Sequence, residues 1–216
     1  MRVAEFDTGR QAFARLRAFA QRAAAEMERC ELCHSVVAPR HPHLLKLEGR
    51  RLICSCDACA LLFSGGAASK FLRLPSRIER LEHFRISDAE WESLGIPINL
   101  AFFIKNAQDG TVSARYPSPG GATESWLTRE TWGSLVAAHP LLQSLEPEVQ
   151  ALLVNRVGEG RGPTTGEYYL APIDLCYQLV GVIRKHWRGF SGGTEVWQEV
   201  ESFFSRLRSG DDSAGE

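Results

Sequence analysis

Cys30-Glu31-Leu32-Cys33-His34 and, after a spacer, Cys54-Ser55-Cys56-Asp57-Ala58-Cys59 contain five of the chain's six cysteines. Two Cys-x-x-Cys pairs, 30/33 and 56/59, stand 22 residues apart. Each pair can turn tightly enough to aim both sulfurs at one cation. Four thiolates at about 2.3 Å then complete a tetrahedron, which zinc favours and iron accepts. The spacer is slightly longer than the roughly 15–20 residues usual between such pairs. Within it, His43-Leu44-Leu45-Lys46-Leu47 alternates, Glu48-Gly49 is a turn signal, and Arg51-Leu52-Ile53 follows as a second short strand. The expected plan is a zinc-ribbon-like module, two hairpins clamping one ion. A redox dithiol and unligated core cysteines are weaker accounts of five thiols in so short a span. Cys-x-x-Cys-His also matches c-type haem attachment. That reading is disfavoured because Met1-Arg2-Val3-Ala4-Glu5 does not open an export signal.

The expected metal ligands are Cys30, Cys33, Cys56 and Cys59, with Cys54 and His43 as further candidates. Cys54 and Cys56 lie two apart and share a face in a strand, so Cys54 can replace Cys56 or stand behind it. His41 and His43 share a face in the same way, and His43 can coordinate or hydrogen-bond a sulfur. Spare thiols and nearby imidazoles leave an iron–sulfur cluster or a single iron open as alternatives to zinc.

The chain has 216 residues, 44% hydrophobic and 24% charged, enough for one ordinary domain and a small module. No apolar run reaches the length of a membrane span. The expectation is a cytoplasmic protein with reduced thiols, where cysteine clusters bind metal rather than form disulfides. Net charge is −1, but residues 1–85 contain 15 Lys+Arg against 9 Asp+Glu, whereas residues 86–216 contain 10 against 17. A basic half on an acidic body can face nucleic acid or an acidic protein, or the halves can attract each other. A zinc-ribbon nucleic-acid-binding regulator is the second alternative that this charge allows, and no aromatic-studded basic stripe supports it.

Residues 7–29 read as an amphipathic helix carrying Phe13, Leu16, Ala20, Ala23 and Met27 at three- and four-residue steps. Ser64 to Ser69 is a Gly/Ser/Ala boundary, and Phe71 to Pro75 is extended. Ser87-Asp88-Ala89-Glu90 is a capping box for a short helix. Ile98 to Ile104 and Thr111 to Tyr116 form a hairpin through the turn at Asn106–Gly110. Tyr116 to Ser125 reads as a shaped Pro/Gly loop at a strand end, with Ser118, Thr123, Glu124 and Ser125 as a partner-docking surface. Thr128 caps a helix with Trp132, Leu135 and Val136. Pro147 opens another helix through Leu152 and Leu153 to Gly158, with a strand possible at Leu153–Val157. Tyr168 to Ile173 is a strand. Asp174 caps a largely buried helix carrying Cys176 in the core, and Thr194 caps the last helix. Residues 209–216 read as a disordered tail. Ser118, Glu124 and Asp174 are the residues an enzyme would use. Yet no catalytic triad, phosphate loop or nucleophile elbow accompanies them, so the reading leans away from an enzyme.

Cys30 to Cys33, His41 and His43, Cys54 to Cys59, Leu100-Ala101-Phe102-Phe103, Tyr116 to Pro119, Gly121 to Ser125, Ala151 to Val154, Pro172-Ile173-Asp174 with Cys176-Tyr177, and Gly189 to Gly193 with Val196-Trp197 together resemble a bacterial family of unknown function. Its genes accompany uptake nickel–iron hydrogenase operons, notably in actinobacteria, and the resemblance spans about residues 28–205. It implies a role beside hydrogenase assembly or electron transfer, with hydrogenase subunits or maturation factors as partners, and identifies no catalytic residue. The expected architecture is α+β: the helix to residue 29, the metal module at 30–63, and a small antiparallel sheet covered by helices at 71–208.

Overall fold

The computed structural model describes residues 28–66, 69–118, 120–157, 166–189 and 192–210. The helix expected at 7–29 lies outside them except for its last two residues, where Arg29 forms a β-bridge with Val36. The Gly-rich segment 158–165 and the tail from 211 lie outside as well.

The fold is α+β, as expected, with two antiparallel sheets. The smaller has the order β2-β1-β3, formed by β1 (His43–Lys46), β2 (Arg51–Cys54) and β3 (Phe71–Arg73). Gly49 and Arg50 turn the β1–β2 hairpin with φ of 76° and 50°, a left-handed conformation that glycine enters without steric cost. Helix α1 (Asp57–Phe63) follows β2.

The larger sheet has six antiparallel strands in the order β4-β9-β8-β5-β6-β7. They are β4 (Glu79–Arg80), β5 (Leu100–Lys105), β6 (Val112–Ser118), β7 (Gly121–Trp126), β8 (Gln150–Asn155) and β9 (Glu167–Pro172). Helices α2 (Asp88–Ser93), α3 (Arg129–Ala138), α4 (Ile173–His186) and α5 (Gly193–Ser209) cover it. Side chains alternate across a strand with period two, and here both phases are apolar. Phe102, Ile104, Leu153 and Tyr169 join Cys176, Leu179, Val200 and Phe204 of α4 and α5 in one core. Ala101, Phe103, Leu152 and Tyr168 join Trp91 of α2 and Trp132 and Leu135 of α3 in the other. Leu45 and Leu74, from the smaller sheet and just after it, pack into the first core, which seats the cysteine-bearing part on the body.

Two expected elements are corrected. The helix expected from Pro147 to Gly158 is strand β8, paired with β5 on one side and β9 on the other. Burial on both faces makes a strand read as an unbroken apolar run, which periodicity cannot separate from a buried helix. The loop expected from Tyr116 to Ser125 is the β6–β7 hairpin, in register from Ser113↔Trp126 to Ser118↔Gly121. Gly121, at φ 122°, turns it.

The capping box at α2 is present: Glu90 N donates to Ser87 Oγ at 3.2 Å and Ser87 N to Glu90 Oε2 at 2.7 Å. At α5 the cap is Gly192 rather than Thr194. At φ 87°, a Cβ there would come within 2.8 Å of Val196 Cγ1, so side-chain capping gives way to glycine. Helix α5 extends through Ser209, and Gly210 closes it. Helix α4 is capped by Pro172 without a side-chain bond, which places Asp174 in the first turn.

Phe103 is fully buried, with ring centroids 6.2 Å from Trp91 and 6.0 Å from Trp132. Phe103→Ala is expected to cost about 3–5 kcal/mol by leaving a cavity between two indoles, read as a lowered urea midpoint with an unchanged slope.

Candidate metal centre

Two different local structures present the four thiols. Cys30 N donates to Ser35 O at 2.8 Å and His34 N to Cys30 O at 2.8 Å, closing a tight turn in which His34 takes φ 61°. The second pair opens a helix. Cys56 is the N-cap of α1, its sulfur accepting from Cys59 N at 3.4 Å and its carbonyl from Ala60 N at 2.8 Å. The ribbon of two clamping hairpins is therefore corrected to a turn, a hairpin and a helix start. Asp57 to Phe63 is helical, so the chain after Cys56 forms no second hairpin, and of the first-turn amides, which a helix leaves without internal partners, Cys59 N turns to the Cys56 sulfur.

The sulfurs of Cys30, Cys33, Cys56 and Cys59 all lie within 4.8 Å of one another, and Cys33 Sγ stands 3.7 Å from Cys56 Sγ. Thiolates at about 2.3 Å around a tetrahedral ion are separated by roughly 3.8 Å, so the observed edge fits one ion. Cys30 and Cys59 are buried and Cys33 is exposed. The four sulfurs do not share charge evenly. Hydrogen bonds from the hydroxyl and amide of Ser35 bring Cys33 down to about 6. Burial would raise Cys30, but the amides of Cys56, Cys33 and Leu32 outweigh it and lower it. Burial, and then the neighbouring thiols, push Cys59 up to about 12. Packed thiolates repel, and a bound dication is what allows all four to ionise together.

The six expected ligands fall into two sets among the described residues. Cys54 and His43 do not join the four sulfurs; with His41 they make a second group whose donor atoms lie within 4.8 Å of one another. His43 faces Cys54 across the β1–β2 pair, and its Nδ1 is 2.7 Å from Asp174 Oδ2 on α4. The Asp174 bond raises His43 above the ordinary imidazole range despite partial burial. Asp174 is thus the hydrogen-bond partner of His43 rather than the helix cap read from sequence, and a contact spanning 131 residues leaves no local signal. Cys176 is fully buried, as expected of a core residue, and burial raises its thiol.

Ser118, Thr123, Glu124 and Ser125 lie on the β6–β7 hairpin. Ser118 Oγ donates to Gly121 O at 3.0 Å. Glu124 faces Arg115 across the strands, with Arg115 Nη2 donating to Glu124 Oε1 at 2.8 Å, and Arg115 also meets the Tyr177 hydroxyl. Among the described residues, no histidine is hydrogen-bonded to these four.

An α+β body with a tetrathiol centre capable of holding one metal ion is the class of protein that this fold and site define. The chain belongs to a family of unknown function (DUF5947), whose model matches residues 29–211. No curated protein and no solved structure matches the chain. Among the described residues, no helix is long and apolar enough to cross a membrane.

Burial would raise Glu124, but Arg115 outweighs it and holds the carboxyl below the usual range. A carboxyl lowered on folding stabilises above its unfolded pKa, and that contribution disappears as pH falls through the folded value. Glu124→Gln should therefore lower the urea midpoint at neutral pH, with the difference from wild type closing in acid.

Proposed function

We propose that this chain is a zinc-binding accessory protein of the cytoplasm, acting in maturation or assembly of a nickel–iron hydrogenase. The observation that carries the metal reading is the 3.7 Å edge between Cys33 and Cys56 within a four-sulfur group. The residues hold the ion from two sides, one pair on a tight turn and the other at the start of α1. Their main consequence is mechanical: the ion ties the turn at residues 30–35 to the hairpin and to α1, around a small core of Cys30, Val37 and Cys59. The hydrogenase part of the proposal rests on the motif resemblance.

Partner docking is assigned to the β6–β7 hairpin. Strand β7 is the last of the sheet, Trp126 on it is 60% exposed, and Glu124 and Ala122 face solvent. An edge strand offers backbone donors and acceptors to an incoming strand. Glu124→Ala with Ser125→Ala should leave metal content unchanged while reducing co-purification with hydrogenase components. Full retention of every partner would reduce the hairpin to a structural turn.

The exposure of Cys33 favours one second reading, a rubredoxin-like or iron–sulfur electron carrier, because electrons reach such a centre through a ligand at the surface. Protein purified without air distinguishes the two. A colourless zinc protein supports the accessory role, and visible charge-transfer bands with iron support the carrier. In either case, Cys30→Ser with Cys33→Ser should remove one equivalent of metal and make residues 30–63 protease-sensitive, because binding and folding of such modules are linked. Undiminished metal in that double variant would end the assignment.

A further inference from the structure

We propose that His41, His43 and Cys54 form a second cation site, separate from the four thiols, for a borderline-soft divalent ion of the zinc type, with one coordination position left open.

One ring nitrogen from each histidine and the Cys54 sulfur lie within 4.8 Å of one another. Donors bound to one such ion at about 2.0–2.3 Å stand roughly 3.3–3.8 Å apart, which this bound admits. The scaffold is rigid. His43 and Cys54 are directly paired in the β1–β2 ladder. The Cys54 backbone is held from both sides, since Cys54 N donates to Glu31 Oε1 at 3.1 Å and Glu31 N donates to Cys54 O at 2.9 Å. His41 sits two residues before His43, its ring centroid 4.7 Å away.

The hydrogen bonds specify which nitrogens face an ion. His41 Nδ1 is 2.8 Å from Ala38 O, and a carbonyl only accepts, so Nδ1 carries the proton and Nε2 presents its lone pair. That Nε2 is buried without a hydrogen-bond partner, and the His41 side chain is only 4% exposed. A buried acceptor left unpaired costs free energy, and a cation removes that cost. His43 Nδ1 faces the carboxylate of Asp174 at 2.7 Å, leaving Nε2 as its metal-facing atom. Histidines that bind metals are held in this way, by a carbonyl or carboxylate on the other nitrogen that fixes tautomer and ring orientation. Both kinds of support occur here, side by side.

Ligand chemistry selects the ion. A thiolate with two imidazoles suits zinc and its late-transition neighbours and does not suit magnesium or calcium. Surrounding charge agrees: Glu28 Oε2 is 3.5 Å from His41 Nδ1, and Asp174 backs His43. Three protein donors are the count found where zinc keeps a position for water or a substrate atom, whereas four thiolates close a structural site. The two sites therefore differ in kind. Because Asp174 belongs to α4, the second also links the small sheet to the body.

The test uses the full chain, loaded with zinc and freed of loosely bound ion. The expected content is two zinc ions per chain. Cys54→Ser and His41→Gln should each retain one, with the fold unchanged by circular dichroism. Replacing zinc by cobalt(II) should show thiolate charge-transfer intensity that falls only in part in Cys54→Ser. Asp174→Asn, which changes no donor atom and lies outside the small sheet, should weaken the second zinc about 10–100-fold in a chelator competition and leave the first untouched. One zinc in the wild type, two in Cys54→Ser, or unaltered affinity in Asp174→Asn would each overturn the proposal.

Discussion

Strands β5, β8 and β9 are buried on both faces, and the rest of the body is arranged to keep them so. Every apolar side chain on one phase of these strands requires a cover different from that of its neighbours. Helices α4 and α5 supply one cover, and α2, α3 and the segments around them supply the other. This constraint explains the long connection between β7 and β8, which are not neighbours in the sheet. Between β7 and β8 the chain must lay down α3 and the short 3-10 helix Pro140–Ser144 before returning to pair with β5. It also explains why α4 begins directly where β9 ends: Ile173 is already in the core.

The cysteine-bearing part has a different physical basis. Its own apolar groups are few, Cys30, Val37 and Cys59 in one cluster and Leu44, Ile53 and Ala60 in another. Small folds with so little apolar surface commonly depend on a cross-link or an ion. Contact with the body adds support through Leu45 and Leu74 in the main core, through Arg50 paired with the buried Glu148 at 2.6 Å, and through His43 on Asp174. These contacts join the small sheet and its flanks to the body, so the cysteine-bearing part is held against a large, well-packed neighbour. That arrangement suits a centre whose geometry has to be maintained.

Much of the architecture was legible where local chemistry is one-sided. The two Cys-x-x-Cys pairs led directly to the four-sulfur group, the capping box at Ser87 to α2, and the alternation around Asn106–Gly110 to the β5–β6 hairpin. Legibility failed where a residue's role depends on what lies opposite. Ala151 to Val154 is apolar in both phases, so the sequence read as a helix from Pro147, with a strand only possible at its end, and pairing with β5 and β9 decided for the strand. Tyr116 to Ser125 carries two prolines and two glycines, which read as a loop. Pairing with β6 nevertheless makes Gly121–Trp126 a strand, and the cross-strand bond from Arg115 engages the Glu124 carboxylate, the candidate base of the enzyme reading.

The sequence by itself determined which atoms are available for metal binding, because cysteine and histidine spacing along a short chain limits where their donors can reach. It also determined the α+β class, since capping residues and period-two alternation act over a few neighbours. Only the tertiary structure decided how those donors are divided. Cys54 and Cys56 are two residues apart and share no site, because the chain leaves β2 at Cys54 and enters α1 after Cys56, turning one sulfur toward the imidazoles and the other toward the thiols. Asp174 reaches His43 across 131 residues, and that distance along the chain is closed by packing the small sheet on α4, an interaction that no local pattern of residues encodes.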